Sequence, residues 1–397
     1  MTNARFGFII KLVMELLIPV AFGQEQIVKR QLLALGYDKA PATNGRIELS
    51  GDWQDVARLN MFLRSGERVL IRLARFRAVT FDDLYEGVYN IPWENYLTLD
   101  SKILMDGKSV QSALVAIKAS GGVAKKAIIR RLSDKIKTGR KTFAETGARS
   151  IIGVSIFKDE VTVTLDTSGD GLHKRGYRSL AYSAPLKETL ASAVIDSTFY
   201  NPERDMQKPF ADIFCGSGTL PIEAAMKALR IAPGIKRSFD FEAWACAPQH
   251  IAKRAREEAQ DCILRNIKPD IYGADINKDA ISIAKYHAKQ AGVDKVIRFE
   301  VADARKFTSE KKYGVLVSNP PYGERLLGEN QAQALMREFG KVFRALPDWN
   351  AYILTSLPEF ERYFGKSADK KKKLYNANLL CGLYAYYGNP PKTQDKE

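Results

Sequence analysis

The spacing of apolar positions changes character near the middle of the chain. In the first half, short strand-like and helix-like stretches follow one another. Residues 12 to 20 read as a first strand, and Gln24 to Leu35 has helical apolar spacing that stops at Gly36. Arg46 to Leu49 alternates as a strand, Asp52 caps a helix through Leu63, and Arg68 to Phe76 reads as another strand. A helix from Asp82 to Tyr89, a strand near Lys102 to Met105 and a helix from Ser109 to Lys137 continue the pattern. Strands Ile151–Phe157 and Glu160–Asp166 flank the turn Lys158-Asp159. This is α+β architecture.

The second half alternates strands and helices regularly, which argues for a parallel sheet. The predicted strands are Phe210–Phe214, Asp270–Asp275, Val296–Glu300, Tyr313–Val317 and Ala351–Thr355, with closing strands near Lys373–Asn376 and Leu379–Tyr386. Helices are expected at Leu220–Leu229, Pro248–Asn266, Asp279–Gln290 and Gln331–Leu346. Between the halves runs the glycine-rich, basic connector Ser168-Gly-Asp-Gly-Leu-His-Lys-Arg-Gly-Tyr-Arg178.

With 397 residues, two or three domains are expected. The net charge of +15 points to a polyanionic partner, with nucleic acid the first candidate. Lys118, Lys125, Lys126, Arg130 and Arg131 crowd one predicted helix, where Asp134 is the lone acid between Gln111 and Arg140, and Lys174, Arg175 and Arg178 lie in the connector. These are the candidate RNA-backbone contacts. Cys215, Cys246, Cys262 and Cys381 form no close pair and none has a histidine at zinc spacing. No metal site or disulfide framework is expected, and a cytoplasmic location fits. None of His173, His250 and His287 lies in a nucleophile pattern, which argues against a hydrolytic triad. Lys11 and Glu15 interrupt the apolar N-terminus and no small-residue cleavage site follows, so neither a secretory signal nor a membrane span is predicted.

The candidate chemistry centres on Asn319-Pro320-Pro321-Tyr322, a stiff loop ending a buried strand. In open α/β sheets, ligands lie at the carboxyl ends of strands. The Asn319 amide oxygen and the Pro320 carbonyl can accept the two N–H bonds of an exocyclic base amine, and Tyr322 can stack on the base. After the first strand of the second half comes Cys215-Gly216-Ser217-Gly218-Thr219, preceded by Asp212. This is neither a dinucleotide fingerprint nor a triphosphate loop. An acid before the turn suits a cationic amino-acid ligand. Asp275 can accept both hydroxyls of a ribose, and Asp303 can accept from an adenine amine. Together these describe S-adenosylmethionine beside an amine acceptor.

The connector, Ala184-Pro-Leu-Lys-Glu-Thr-Leu190, Phe214 to Thr219, Ile222-Glu-Ala-Ala225, Gly273-Ala-Asp275 and Ser318 to Arg325 carry a resemblance. On them the sequence resembles the bacterial THUMP-domain ribosomal RNA guanine-N2 methyltransferases, over roughly residues 20 to 387. The resemblance implies an α/β fold: a Rossmann-like class I methyltransferase domain with a mostly parallel seven-stranded sheet, preceded by ferredoxin-like and THUMP domains. The expected boundaries are 1–54, 55–167, a linker at 168–185, 186–388 and a tail at 389–397. It implies S-adenosylmethionine as cofactor, held by Asp212, Phe214, Cys215, Gly216, Ser217, Gly218, Thr219, Asp275, Ile276, Asp303 and Ala304. It implies large-subunit ribosomal RNA as partner, with neither membrane nor metal. Transfer RNA guanine, adenine N6 and a non-catalytic RNA-binding assembly role remain the alternatives.

Overall fold

The computed structural model describes residues 13–43, 45–136, 143–180, 186–321, 328–377 and 379–391. In the first half, β1 (Met14–Pro19), α1 (Glu25–Ala34), β2 (Ala42–Thr43), β3 (Arg46–Gly51) and α2 (Trp53–Phe62) lead into β4 (Leu70–Arg77). Then come α3 (Phe81–Tyr89), β5 (Lys102–Val110), α4 (Ile117–Lys135), β6 (Arg149–Phe157) and β7 (Glu160–Asp166). The seven strands form one sheet in the order β2-β3-β1-β4-β7-β6-β5. β1 pairs with both β3 and β4, so the sheet runs unbroken across the expected boundary at residue 54. Helix starts follow the sequence signals: Asp52 and Thr80 each close a capping box with the acid three residues on.

One expectation fails. Ser109 does not begin a helix, because β5 continues to Val110 in parallel register with β6, and α4 starts only at Ile117. Nine residues of ladder outweigh the helical spacing, an override of local preference by pairing.

The second half contains α5 (Glu188–Ile195), β8 (Phe210–Asp212), α6 (Thr219–Ala228), α7 (His250–Asp261), β9 (Ile271–Asp275), α8 (Lys278–Ala291), β10 (Ile297–Val301) and β11 (Val315–Ser318). It closes with α9 (Glu329–Arg344), β12 (Asn350–Thr355), α10 (Phe360–Phe364), β13 (Lys370–Asn376) and β14 (Leu379–Tyr386). The strand order is β10-β9-β8-β11-β12-β14-β13. All pairs are parallel except those made by β14. The strand order reverses between β8 and β11, the topological switch point where such folds hold ligands.

The halves are joined through buried chemistry. Phe239, Phe241, Trp244 and the α7 residues Ile251, Ala255 and Ala259 belong to the core of the first half. Arg58 on α2 grips Glu258 on α7 through Nε at 3.0 Å and Nη2 at 2.8 Å. Arg237 donates to the carbonyls of Ser168, Asp170, Gly171 and Lys174 at 3.0, 2.6, 2.7 and 3.0 Å, so its fork shapes the connector. Burial pushes that guanidinium down to about 10, a measure of how little solvent reaches it.

Lysine has no planar fork and cannot span four carbonyls. Arg237→Lys should therefore destabilise the protein by about 2 kcal/mol or more, the scale of charged hydrogen bonds lost in a buried place. A thermal or urea melt within error of the parent would show that the connector holds its shape without this residue.

Candidate active site

The site is built on the carboxyl ends of β8, β9, β10 and β11. Gly216 and Gly218 adopt left-handed backbone, φ 52° and 85°, which lets the turn fold tightly onto α6. A Cβ on Gly218 would lie 3.0 Å from Ala284 Cβ and 3.1 Å from Phe299 Cζ, so α8 and β10 leave no room for a side chain there. Asp275, at the end of β9, accepts from Gly216 N at 2.9 Å and from Asn277 N at 2.9 Å. Its carboxylate thus ties the turn to the next strand.

Asp212 is 1% exposed and accepts at Oδ1 from Ser318 Oγ at 2.8 Å and from Phe214 N at 3.1 Å. Burial pushes its carboxyl up to about 7; the two hydrogen bonds pull the other way, and the nearby Asp275 charge adds to the rise. Burial also raises the Cys215 thiol, which leaves it unreactive. Ser217 and Thr219 are buried, Phe214 packs edge-on against Phe339 at 5.2 Å, and Ala304 is buried. Ile276 is 68% exposed beside Asp275, an apolar surface open to a planar ligand. Asp303 is taken by Arg305, Nε at 2.9 Å and Nη2 at 2.6 Å, a pairing that competes with an adenine amine for the same carboxylate.

Asn319 follows β11 directly. Its Oδ1 is buried and, among the described residues, accepts no hydrogen bond. A buried acceptor without a donor costs about 1–3 kcal/mol, so it marks a place meant for a ligand N–H. Pro320 is buried and Pro321 half-buried. Tyr322 lies outside the described residues. The fold therefore brings Asp212, the glycine turn, Asp275 and Asn319 to adjacent strand ends.

The residues fit a nucleoside with a cationic amino-acid arm. The turn Cys215–Thr219 contains no lysine or arginine, and the acids Asp212 and Asp275 stand beside it. That set of acceptors suits hydroxyls and offers a phosphate no cation; Asp212, buried and holding its proton up to about 7, adds no anionic charge below that. Among the described residues there is no group of acids, histidines and cysteines able to hold a metal ion. No described helix is long and apolar enough to cross a membrane.

The connector cations are corrected by the structure. Arg175 is 2% exposed; it approaches Glu223 at 3.5 Å and donates to the Leu172 and Arg64 carbonyls. Arg178 donates to Thr219 Oγ1 and lies 3.4 Å from Glu188. Arg175 is thus spent inside the protein, while the half-buried Arg178 ties the connector to Thr219 at the end of the glycine turn. Lys174 stays exposed beside Asp170 at 3.2 Å. On α4, Lys118, Lys126 and Arg130 are exposed, but Arg130 pairs with Asp134. Lys125 pairs with Glu145 and Arg131 with Glu94, so acids from other elements reduce the one-sided charge.

Three supporting residues escaped the sequence reading. Ser318 links Asp212 to the Asn319 strand, His287 Nδ1 lies 3.3 Å from the Ser217 carbonyl, and Glu223 is a buried acid within α6. The readable hint was Glu223, a charge inside the apolar run Leu220 to Met226.

Three family models match the chain. The RMKL-like methyltransferase domain covers residues 175–385, the RlmL ferredoxin-like domain 15–70 and the THUMP domain 78–166. A Bacillus subtilis protein named "Putative RNA methyltransferase YpsC" is 38% identical over 92% of this chain and 94% of its own. The ribosomal RNA large subunit methyltransferase K/L of Psychromonas ingrahamii is 34% identical over 94% of this chain. This chain spans 50% of that relative's length. A Listeria monocytogenes structure described as a predicted N6-adenine-specific DNA methylase has 44% identity and a TM-score of 0.89, covering 95% of this chain and 97% of its own. SMU.472, described as "a putative methyltransferase complexed with SAH", has 39% identity and a TM-score of 0.89 over 96% and 99%.

The raised Asp212 carboxyl predicts a pH effect on stability. Unfolded, it ionises near 3.8; folded, it keeps its proton up to about 7. Between these values only the folded state holds the proton, so stability falls as pH rises through the window. Asp212→Asn keeps an acceptor for Ser318 and cannot ionise. The variant should gain on the parent steadily from pH 4 to pH 7 in thermal melts; parallel profiles would mean that Asp212 ionises in the fold as it does in water.

Proposed function

This chain belongs to the RMKL-like methyltransferase family, and from that premise we propose that it methylates the exocyclic N2 amine of a guanine in large-subunit ribosomal RNA, with S-adenosylmethionine as donor. The observation that carries the reading is the buried Asn319 oxygen at the end of β11, without a partner among the described residues and next to the glycine turn on β8. The named activity of the Psychromonas relative supports the RNA class. The bound SAH of the SMU.472 structure supports the donor.

The donor supplies a methyl group already activated by a sulfonium charge. The chain's own work is binding, orientation and polarisation. Asp275 would accept the ribose hydroxyls, Ile276 would cover the base of the donor, and Asp212, buried and holding its proton up to about 7, would shape the strand end beside the amino-acid arm. Asp303 would accept from the adenine amine if its hold on Arg305 is shared. Phe214, Ala304 and the turn from Cys215 to Thr219 wall this pocket. At the acceptor, Asn319 Oδ1 and the Pro320 carbonyl take the two N–H bonds of the target amine. This draws the nitrogen lone pair out of conjugation and aims it at the methyl group. Pro321 stiffens the loop, and Tyr322 is assigned the stacking role. A base held in paired RNA must first leave its stack to reach these acceptors. Lys118 and Lys126 are the leading exposed cations proposed for RNA contact, with Arg130, Lys174, Lys125 and Arg131 secondary to them because each has a carboxylate partner.

A second reading is N6-adenine methylation. The description of the Listeria structure favours it, and two acceptors facing an amine suit either base. Mass mapping of methylated nucleosides in ribosomal and transfer RNA from a deletion strain separates the readings. Loss of one N2-methylguanine from the large-subunit RNA is expected; loss of N6-methyladenine alone moves the assignment to the second reading.

Two variants test the division of labour. Asp275→Ala should weaken S-adenosylmethionine binding by about 1–3 kcal/mol in calorimetry, since ribose hydroxyls lose a charged acceptor. Unchanged affinity removes Asp275 from the site. Asn319→Ala should bind cofactor and RNA nearly as the parent does, yet lose about a hundredfold or more in single-turnover rate. A near-parental rate would make the loop structural.

A further inference from the structure

The edge of the second sheet carries an aromatic and basic strip that the reading above leaves unused. Phe22, from the loop between β1 and α1, is 61% exposed. It meets Tyr375 on β13 edge-on, with ring centroids 6.2 Å apart, and Tyr375 is itself 38% exposed. Leu380, 46% exposed, is the cross-strand partner of Tyr375. Large apolar side chains left in water on one small patch mark a binding surface.

The strip is held rigidly. Gly23 has φ 86°, and a Cβ there would lie 2.8 Å from the Lys373 carbonyl. The first half of the chain thus presses its loop directly onto the backbone of β13. The two rings come from opposite halves of the protein and meet only because the halves are docked.

The charge around the strip is mostly positive. β13 begins Lys370-Lys371-Lys372-Lys373. Lys371 is engaged by Glu361, whereas Lys370 and Lys373 are exposed and have no carboxylate within ion-pair distance among the described residues. Lys372 is half-buried with both Arg30 and Glu25 of α1 among its neighbours. Lysines can serve merely to keep a sheet edge from pairing. That role does not account for exposed rings beside them.

The strip lies on the catalytic rim. Ser318 is level with Ile353, Ile353 with Tyr384, and Tyr384 with Lys371. β13 runs in the same direction as β11, so Tyr375 is four residues above that row and Asn319 one. Three residues of rise and three strand spacings put the strip about 17 Å from Asn319, at ~3.3 Å per residue and ~4.8 Å per strand.

We propose that Phe22 and Tyr375, with Lys373 on the same face of β13, form a stacking platform for a single-stranded RNA segment next to the methylated nucleotide. The platform rests on the RNA methylation reading. Any base can stack on an exposed ring, and the lysines track the backbone, which makes such a surface tolerant of sequence. It would hold the strand leaving the pocket after the target base has been turned out.

The test uses the full chain and two probes, a hairpin RNA with a single-stranded purine flank and the same hairpin without it. The parent should prefer the flanked RNA. Phe22→Ala combined with Tyr375→Ala should lose about tenfold or more of that preference, the scale of lost base stacking. Binding of the blunt hairpin and of S-adenosylmethionine should be unchanged, which also reports an intact fold. Tyr375→Trp in an otherwise parental chain should keep the preference. A parent that binds RNA with no preference, or a double variant that keeps it, overturns the platform and leaves the proposed function standing. A parent that binds neither RNA overturns the proposed function and the platform with it. A concentration-dependent dimer lost in the double variant, with RNA preference intact, assigns the strip to a second copy of the chain instead.

Discussion

One buried hydrogen bond determines where the chemistry can occur. Ser318 Oγ donates to Asp212 Oδ1 at 2.8 Å, from the last residue of β11 to the last residue of β8. The two strands are parallel neighbours at the point where strand order reverses. The residues that follow them, Phe214 to Thr219 on one side and Asn319 to Pro321 on the other, diverge from a common anchor. A carboxyl this buried resists ionisation, and it is retained because it satisfies the serine and the turn together.

A second constraint is the joint between the halves. Arg175, Arg178 and Arg237 are consumed by connector carbonyls, by Glu223 and Glu188, and by Thr219 at the start of α6. The segment that links the two halves is therefore also tied to the glycine turn, through Arg178 and Thr219. The segment from Phe239 to Ala259 leaves the second half to complete the core of the first. These shared cores and buried ion pairs give the two halves a definite mutual orientation, which lets a surface in one position a substrate for the other.

Charge is distributed accordingly. The formal excess of +15 is a property of the whole chain. Its usable part is smaller, since Glu94, Glu145 and Asp134 draw cations of α4 into pairs, and the connector arginines are spent inside. What remains exposed and unpaired among the described residues includes Lys118 and Lys126 on α4 and Lys370 and Lys373 on β13.

The sequence by itself determined the strand and helix alternation of the second half, the glycine turn, the acids at strand ends and the strand that delivers Asn319. These are local: periodicity, turn chemistry and a residue's place after a strand are set by near neighbours in the chain. The end of β5 was not legible, because its ladder partner, β6, lies some fifty residues away. Nor was the fate of Arg175 and Arg178, since a cation reads the same in a sequence whether it meets solvent or Glu223 and Glu188. Only the tertiary structure decided that the first half forms one sheet, that Ser318 binds Asp212, and that Phe22 meets Tyr375. Each depends on which surfaces are brought together across long separations, where burial and pairing outweigh any local preference.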